Sequence, residues 1–507
     1  MSSTLSRIGR NVFSNWVGYV VYVVVSFFLS PFMVHHLGNT GYGIWVLVGS
    51  LTGYLGILDL GLRPAIVKYV ARYKALGDDG MVNRVINTIL VIFSSIAGLV
   101  LVASLVMSYF STEAFKVPPE YGGQLRVIIL IIGFNVAASF PFGVFSAMLN
   151  ALQRFDVTNA IQVSVFLVRT ALLILFLTFG GGLITVGVIV LSSSLTEFVL
   201  KARYCLKINP TLEINRHLAS RETFRMVAGF SVYTFIILVA MRISFQTDSI
   251  VIGAMLSAES ITFFSIGAGM IEYLSTLVSH MSVTVTPLAS GLDAAGDNER
   301  MRKLLIIGTR YCLLVILPVG CTYLLLGETF ISLWMGPQYA PSSSTVLTIL
   351  MWSYFGYLSQ YVAGSVFYGL GKVKNLAYLN IGAALVNIVL SVVLAGPLGI
   401  YGVALGTAIP LTIYGTIIHP VYICRTMKLG LYEYFRRSYL FPLLAAIPFV
   451  ALIWIARQVV EINSYGRFAA TIGIAGVAYA VVAFLLAVEA DHRALVWNKA
   501  RALFSSR

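Results

Sequence analysis

Long apolar runs return fourteen times along this chain, and that recurrence limits its fold more than any single motif does. They lie at 11–34, 41–62, 85–110, 125–149, 158–180, 183–204, 226–253, 259–290, 303–326, 342–368, 375–395, 400–423, 439–460 and 467–488. A helix needs roughly 20 apolar residues to cross a bilayer. Only 11% of the residues are charged and 58% are hydrophobic, whereas soluble domains carry about 25% charged residues. The pattern predicts an all-α polytopic membrane protein with about 14 transmembrane helices. The polar start, Ser2 to Arg10, precedes an apolar run with no small-residue cleavage site, which predicts a retained first helix rather than a signal peptide.

The basic residues test this division. With the N-terminus placed in the cytoplasm, 28 of the 34 Lys and Arg residues fall on the cytoplasmic side. Only Lys116, Arg126, Arg457 and Arg467 fall opposite, and Arg169 and Arg242 lie inside spans. Cytoplasmic loops of membrane proteins gather Lys and Arg. Both termini are therefore predicted to be cytoplasmic. The net charge of +14 then reflects topology and implies no nucleic-acid partner. The stretches AIVKYVARYKAL (65–76) and RALVWNKARALF (493–504) place apolar and basic residues on different faces. They point to anionic membrane lipids as partners.

The chain also repeats itself. KALGDDGMVNRVINTI (74–89) resembles DAAGDNERMRKLLIIG (293–308), and ALQRFDVTNAIQVS (151–164) aligns with GLGKVKNLAYLNIG (369–382). The offset stays near 217 residues. This predicts two pseudo-symmetric six-helix lobes, 1–204 and 226–424, joined by a cytoplasmic linker at 205–225. Residues 425–507 add a C-terminal helix pair and a cytoplasmic tail. Transporters built from repeats place their substrate path where the repeats meet.

Ionisable groups inside spans are costly and tend to face a cavity or a partner. Arg242 lies about 16 residues into its run, roughly 24 Å at 1.5 Å per residue and past the midplane of a core about 30 Å thick. Asp248 is six residues on and does not share its face. Arg169 and Glu272 also fall near mid-depth. Arg242, Arg169 and Arg63 are the candidate substrate-binding cations, because guanidinium groups suit phosphate oxygens. Asp248, Glu272 and Asp59 are candidates for ion coupling or charge balance. The competing reading is that these groups pair between helices and only fix packing. For Asp59 and Arg63, four residues apart at a helix end, a salt bridge is the stronger reading. Glu197, close to the inner surface, is expected to be solvated. No Walker loop, zinc-protease motif, G-x-S-x-G elbow or cofactor fingerprint occurs. We therefore expect no catalytic residue, cofactor or metal site. The four cysteines have no metal-ligand spacing and read as packing residues.

FMVHHLGNTGYGIWVLVGSLTGYLGILDLGLRPAIVKYVARYKA (32–75) resembles the N-terminal signature of bacterial polysaccharide repeat-unit flippases, the O-antigen or Wzx type. TDSIVIGAMLSAESITFFSIGAGM (247–270) is similar to that family's seventh and eighth spans, although ITFF stands where the family often has VGxY. These proteins belong to the multidrug/oligosaccharidyl-lipid/polysaccharide exporter superfamily. The resemblance implies alternating access by two lobes. It implies transfer of a polyprenyl-pyrophosphate-linked oligosaccharide from the cytoplasmic to the periplasmic leaflet, with a proton or sodium gradient as a conceivable drive. It also implies a polymerase and other glycan-assembly proteins as partners. Two alternatives stand beside it: a multidrug or organic-cation antiporter of the same superfamily, and a membrane glycan polymerase or ligase. Short outward loops argue against an enzyme.

Overall fold

Caps and left-handed residues, rather than loss of hydrophobicity, set most of the helix boundaries. The side chains of Asp78, Ser220, Asp297 and Ser464 each accept a bond from a backbone N–H two or three residues into the helix that follows, meeting donors that have no partner within the helix. The computed structural model describes the backbone of residues 2–494, 497 and 498, and their side chains except those of 2–19, 229–245 and 373.

The elements are α1 (Ser2–Leu55), a 3-10 turn (Gly56–Asp59), α2 (Leu62–Ala75), α3 (Asp79–Ala114), α4 (Pro119–Ala151), α5 (Phe155–Thr178), α6 (Leu183–Ile208) and α7 (Arg221–Met255). Then follow α8 (Ala258–Val283), α9 (Val285–Ala294), α10 (Asn298–Trp334), α11 (Ala340–Ser359), α12 (Tyr361–Gly369) and α13 (Val373–Ile413). A π-helical turn (Tyr414–Ile418), α14 (His419–Met427), α15 (Leu431–Val459) and α16 (Tyr465–Leu486) complete the chain. No strand occurs among the described residues.

Ten stretches among the described residues are long and apolar enough to cross a membrane, so the protein is an all-α, multi-pass membrane protein. Two of them are too long for one crossing. Val20–Asp59 has 40 residues and Lys374–Met427 has 54, about 60 and 80 Å as straight helix. Each contains one glycine with non-helical dihedrals, Gly38 (φ 70°, ψ 170°) and Gly399 (φ 59°, ψ −138°). An L side chain rarely adopts such a φ.

Local backbone features recur at the spacing seen in the sequence. The left-handed Gly77 before α3 matches Gly296 before α10. Gln153 before α5 matches Gly371 before α13, and Gly180 before α6 matches Gly399. The offsets are 218 or 219 residues. The caps Asp78 and Asp297 keep the same spacing.

By packing, the chain divides into Met1–Thr262 and Phe263–Arg507. Within the first unit, α7 packs on α1, α2 and α3. In the first unit, α2, α3 and α4 enclose Leu62, Ile66, Ile86, Phe93, Phe140 and Met148. The apolar face of the 65–76 stretch is spent on this protein core: Ala65, Ile66 and Val70 are fully buried, and Lys68 and Arg72 stay exposed.

In the second unit, α10 packs on α11 and α15, and α15 on α16. Leu313, Leu317, Phe449, Ile453 and Tyr479 form the shared core. A charged group ties these helices together. Arg310 is buried, and its Nη1 lies 2.7 Å from Glu489 Oε1. Its Nε and Nη2 donate to the Arg437 carbonyl at 2.9 and 2.7 Å, and its plane covers Phe441. Arg310, one of the 28 basic residues placed on the cytoplasmic side, is a fastener between α10, α15 and the segment after α16.

Two measurements check this packing. Gly406→Val should destabilise by about 1–3 kcal/mol through overpacking, because a Cβ there lies 2.5 Å from the Ser391 backbone nitrogen. Gly382→Ala on the same helix, with nothing within 4 Å, should leave the melting temperature of the purified protein unchanged or raised. Arg310→Leu should cost about 1–3 kcal/mol through the lost Glu489 pair and the bonds to the Arg437 carbonyl, and Arg310→Leu with Glu489→Leu should recover only the part due to unpaired Glu489. Unchanged melting of Arg310→Leu would refute the fastener.

Candidate functional site

Asp59 sits at the end of the 3-10 turn, and the next two residues, Leu60 and Gly61, are both left-handed (φ 53° and 72°). This double reversal turns the chain into α2. A leucine in that region carries strain, and the Asp59 carboxylate holds the turn. Its Oδ1 accepts from the backbone N–H of Arg63 at 3.4 Å, and its Oδ2 lies 2.8 Å from Arg63 Nε. The DLGL segment thus has a local physical account: a carboxylate caps α2, and two left-handed residues precede the helix. Arg63 extends across to α4, where Nη2 donates to the Ser139 carbonyl at 3.1 Å. Its guanidinium lies over Gly143, where a Cβ would come within 3.0 Å of it. The Arg63 side chain remains 43% exposed.

Arg169 projects from α5 and is half-buried. Its guanidinium lies over the Phe166 ring at 5.2 Å, and that ring packs on Tyr22 of α1 at 5.2 Å. Tyr22 and Glu197 of α6 are its electrostatic neighbours. Glu197 itself is held by Lys201 at 2.6 Å, and Lys201 is only 6% exposed. Glu197 is therefore paired rather than simply solvated as the sequence suggested, because Lys201, one turn on, is pulled out of solvent beside it. Arg169 makes no ion pair within 4 Å among the described residues.

Asp248 lies near the end of α7, beside an α1–α7 contact. The Tyr54 hydroxyl bonds the Thr247 hydroxyl at 2.6 Å, and Gly53 leaves room for Gln246. Asp248 acts electrostatically on Tyr54. The Arg242 side chain lies outside the described residues; its backbone is within α7. Asp59, Arg63, Arg169 and Asp248 thus belong to the first unit. Glu272 belongs to the second, exposed on α8.

Sequence reasoning missed one buried polar cluster in the second unit. Gln360 interrupts the helix between α11 and α12, and its Nε2 donates to Tyr439 at 2.8 Å and to Ser359 at 3.1 Å. Its Oε1 lies 3.4 Å from both His419 Nδ1 and the Tyr434 hydroxyl. Tyr434 also meets Thr309 at 3.2 Å. Ser359, Gln360, Thr309, His419 and Tyr434 are buried and Tyr439 is half-buried, next to the π-helical turn that precedes His419. Two polar residues, Ser359 and Gln360, inside one apolar run were the available signal.

This fold is that of the multidrug/oligosaccharidyl-lipid/polysaccharide exporters. The lipid II flippase MurJ, solved in an inward closed conformation, superposes with a TM-score of 0.69 at 13% identity, covering 94% of this chain and 98% of that one. The chain belongs to the polysaccharide biosynthesis protein family, whose profile matches residues 8–292, and residues 234–393 match the MatE family. It is 25% identical to the uncharacterized membrane protein EpsK of Bacillus subtilis over 97% of each chain. It is 21% identical to a putative O-antigen transporter of Shigella flexneri, over 84% of this chain and 99% of the relative. The protein is a transporter of the Wzx type rather than an enzyme.

The cap and the salt bridge at DLGL can be separated by mutation. Asp59→Ala removes both and should cost about 0.5–2 kcal/mol, the range for a lost cap. Arg63→Ala keeps the cap, removes the half-exposed pair and the bond to the Ser139 carbonyl, and should cost about 1 kcal/mol or less. Thermal melting of the two purified variants checks the order; a larger loss for Arg63→Ala would show that the contacts of the guanidinium outweigh the cap.

Proposed function

We propose that this protein moves polyprenyl-pyrophosphate-linked oligosaccharide units from the cytoplasmic to the periplasmic leaflet of the bacterial inner membrane. The observation that carries this reading is the match of residues 8–292 to the polysaccharide biosynthesis family. The likeness to an O-antigen transporter supports it. A lipid-linked sugar carries its charge on a pyrophosphate, which must pass a region of low dielectric. Arg169, half-buried within a span without an ion pair among the described residues, offers a cation there. Arg242 is assigned the same role on α7, and Arg63, half-exposed on α2, a lesser one. Asp248 and Glu272 balance these charges or carry a coupling proton or sodium ion, and Asp59 acts through Arg63.

The same reading gives the chain fourteen crossings. Gly38 and Gly399 split the two overlong stretches, α7 crosses once, and α11 with α12 crosses once. The recurring backbone features at 218–219 residues support two six-helix repeats, 1–204 and 226–424, with 425–507 appended. Both termini then face the cytoplasm. A polymerase and other assembly proteins would act on the product.

A second reading, a multidrug or organic-cation antiporter, is favoured by the MatE match over residues 234–393. Surface-glycan display in a strain that depends on this gene separates the two. Arg169→Ala and Arg242→Ala should each lower display about ten- to a hundredfold at normal protein level, the equivalent of one charge-assisted hydrogen bond. Lysine at either position should restore part of it. Normal glycan in both alanine variants, with drug hypersensitivity in the deletion strain, would favour the antiporter.

A further inference from the structure

Two cavities share a wall at the basic ends of the helices in the second unit. One has a volume of about 710 Å³ and is lined mainly by apolar side chains, among them Met281, Leu288, Leu304, Ile307 and Val362. Among the described residues, no acidic side chain lines it. Leu288 is 57% exposed, so apolar surface is left uncovered there. The other cavity, about 760 Å³, is lined by charged groups. Arg300 and Lys303 line both.

The charges in the second cavity are unevenly matched. Its acids are Asp297, Glu299, Glu433 and Glu489; its cations are Arg300, Arg302, Lys303, Arg310, Lys428 and Arg437. Glu489 is held by Arg310 and Glu433 by Arg437, at 2.7 and 3.0 Å. Asp297 lies 3.4 Å from Arg300, which is 79% exposed. Lys303 makes no ion pair among the described residues and stands at the border between the apolar and the charged cavity.

We propose that this pair of cavities binds an anionic phospholipid. The phosphate sits at Lys303 and Arg300, the polar headgroup faces Arg302 and Lys428, and one acyl chain lies along the groove past Leu288 and Val362. A soluble phosphate would leave the apolar groove empty. A cavity of this volume suits a small ligand, matching an acyl chain rather than a long polyprenyl tail. Basic clusters beside apolar surface are the means by which proteins hold lipids of an anionic leaflet. The site is independent of which substrate the protein moves.

Native mass spectrometry of the full-length purified protein tests the proposal, with dioleoyl phosphatidylglycerol or dioleoyl phosphatidylcholine titrated into the detergent. Wild type should retain phosphatidylglycerol in preference to phosphatidylcholine. Arg300→Ala with Lys303→Ala should lower phosphatidylglycerol affinity about 25-fold, at roughly fivefold per charge, and abolish the preference. Gly291 lines the groove with open space around its Cβ position, so Gly291→Trp puts bulk at the groove and should lower the affinity for both lipids. Lys303→Gln, milder than the double variant, should give about a fivefold loss with an unchanged elution profile. Unchanged phosphatidylglycerol affinity in the double variant and in Lys303→Gln would overturn the proposal. So would full binding by Gly291→Trp, which would reduce the effect to headgroup adsorption, or displacement of the lipid by millimolar inorganic phosphate.

Discussion

A backbone polar group in hydrocarbon has no water to bond, so each interruption of a membrane helix must be satisfied from within the protein. The interruptions in this chain are met by different means. The 3-10 turn into α2 is held by the Asp59 carboxylate. The break at Gln360 is surrounded by side-chain amide, hydroxyl and imidazole groups. At Gly38 and Gly399, which break two overlong stretches, glycine takes the dihedrals. The Asp59 turn and the Gln360 break are also where polar side chains gather, because a broken helix and a buried polar group both require a partner close by.

Hydropathy made the helical, multi-pass character of the protein legible, and the near-constant repeat offset pointed to backbone features that recur in the structure. The ends of the helices were less legible. The apolar run was placed at 85–110, whereas α3 begins at Asp79, because its cap and first turn are polar. The Asp59–Arg63 pair was readable because both partners lie four residues apart on one stretch. Partners far apart in sequence were not. Arg310 and Glu489 are separated by 179 residues, and nothing local to either announces the contact. Glu197 was misjudged because a lysine one turn away looks equally solvated until packing removes water from it.

Among the candidate residues, geometry divides those with evident structural work from those without it. Asp59 caps a helix, and Arg63 braces that helix against α4. Arg169 touches an aromatic face instead of a carboxylate. A guanidinium over a ring keeps N–H groups free to donate elsewhere.

Arg310 grips two carbonyl-bearing segments and one acid that arrive from α15 and from beyond α16. The consequence is mechanical: a displacement of α10 at that point would load all of these contacts, so the last two helices are coupled to α10 there rather than merely packed beside it.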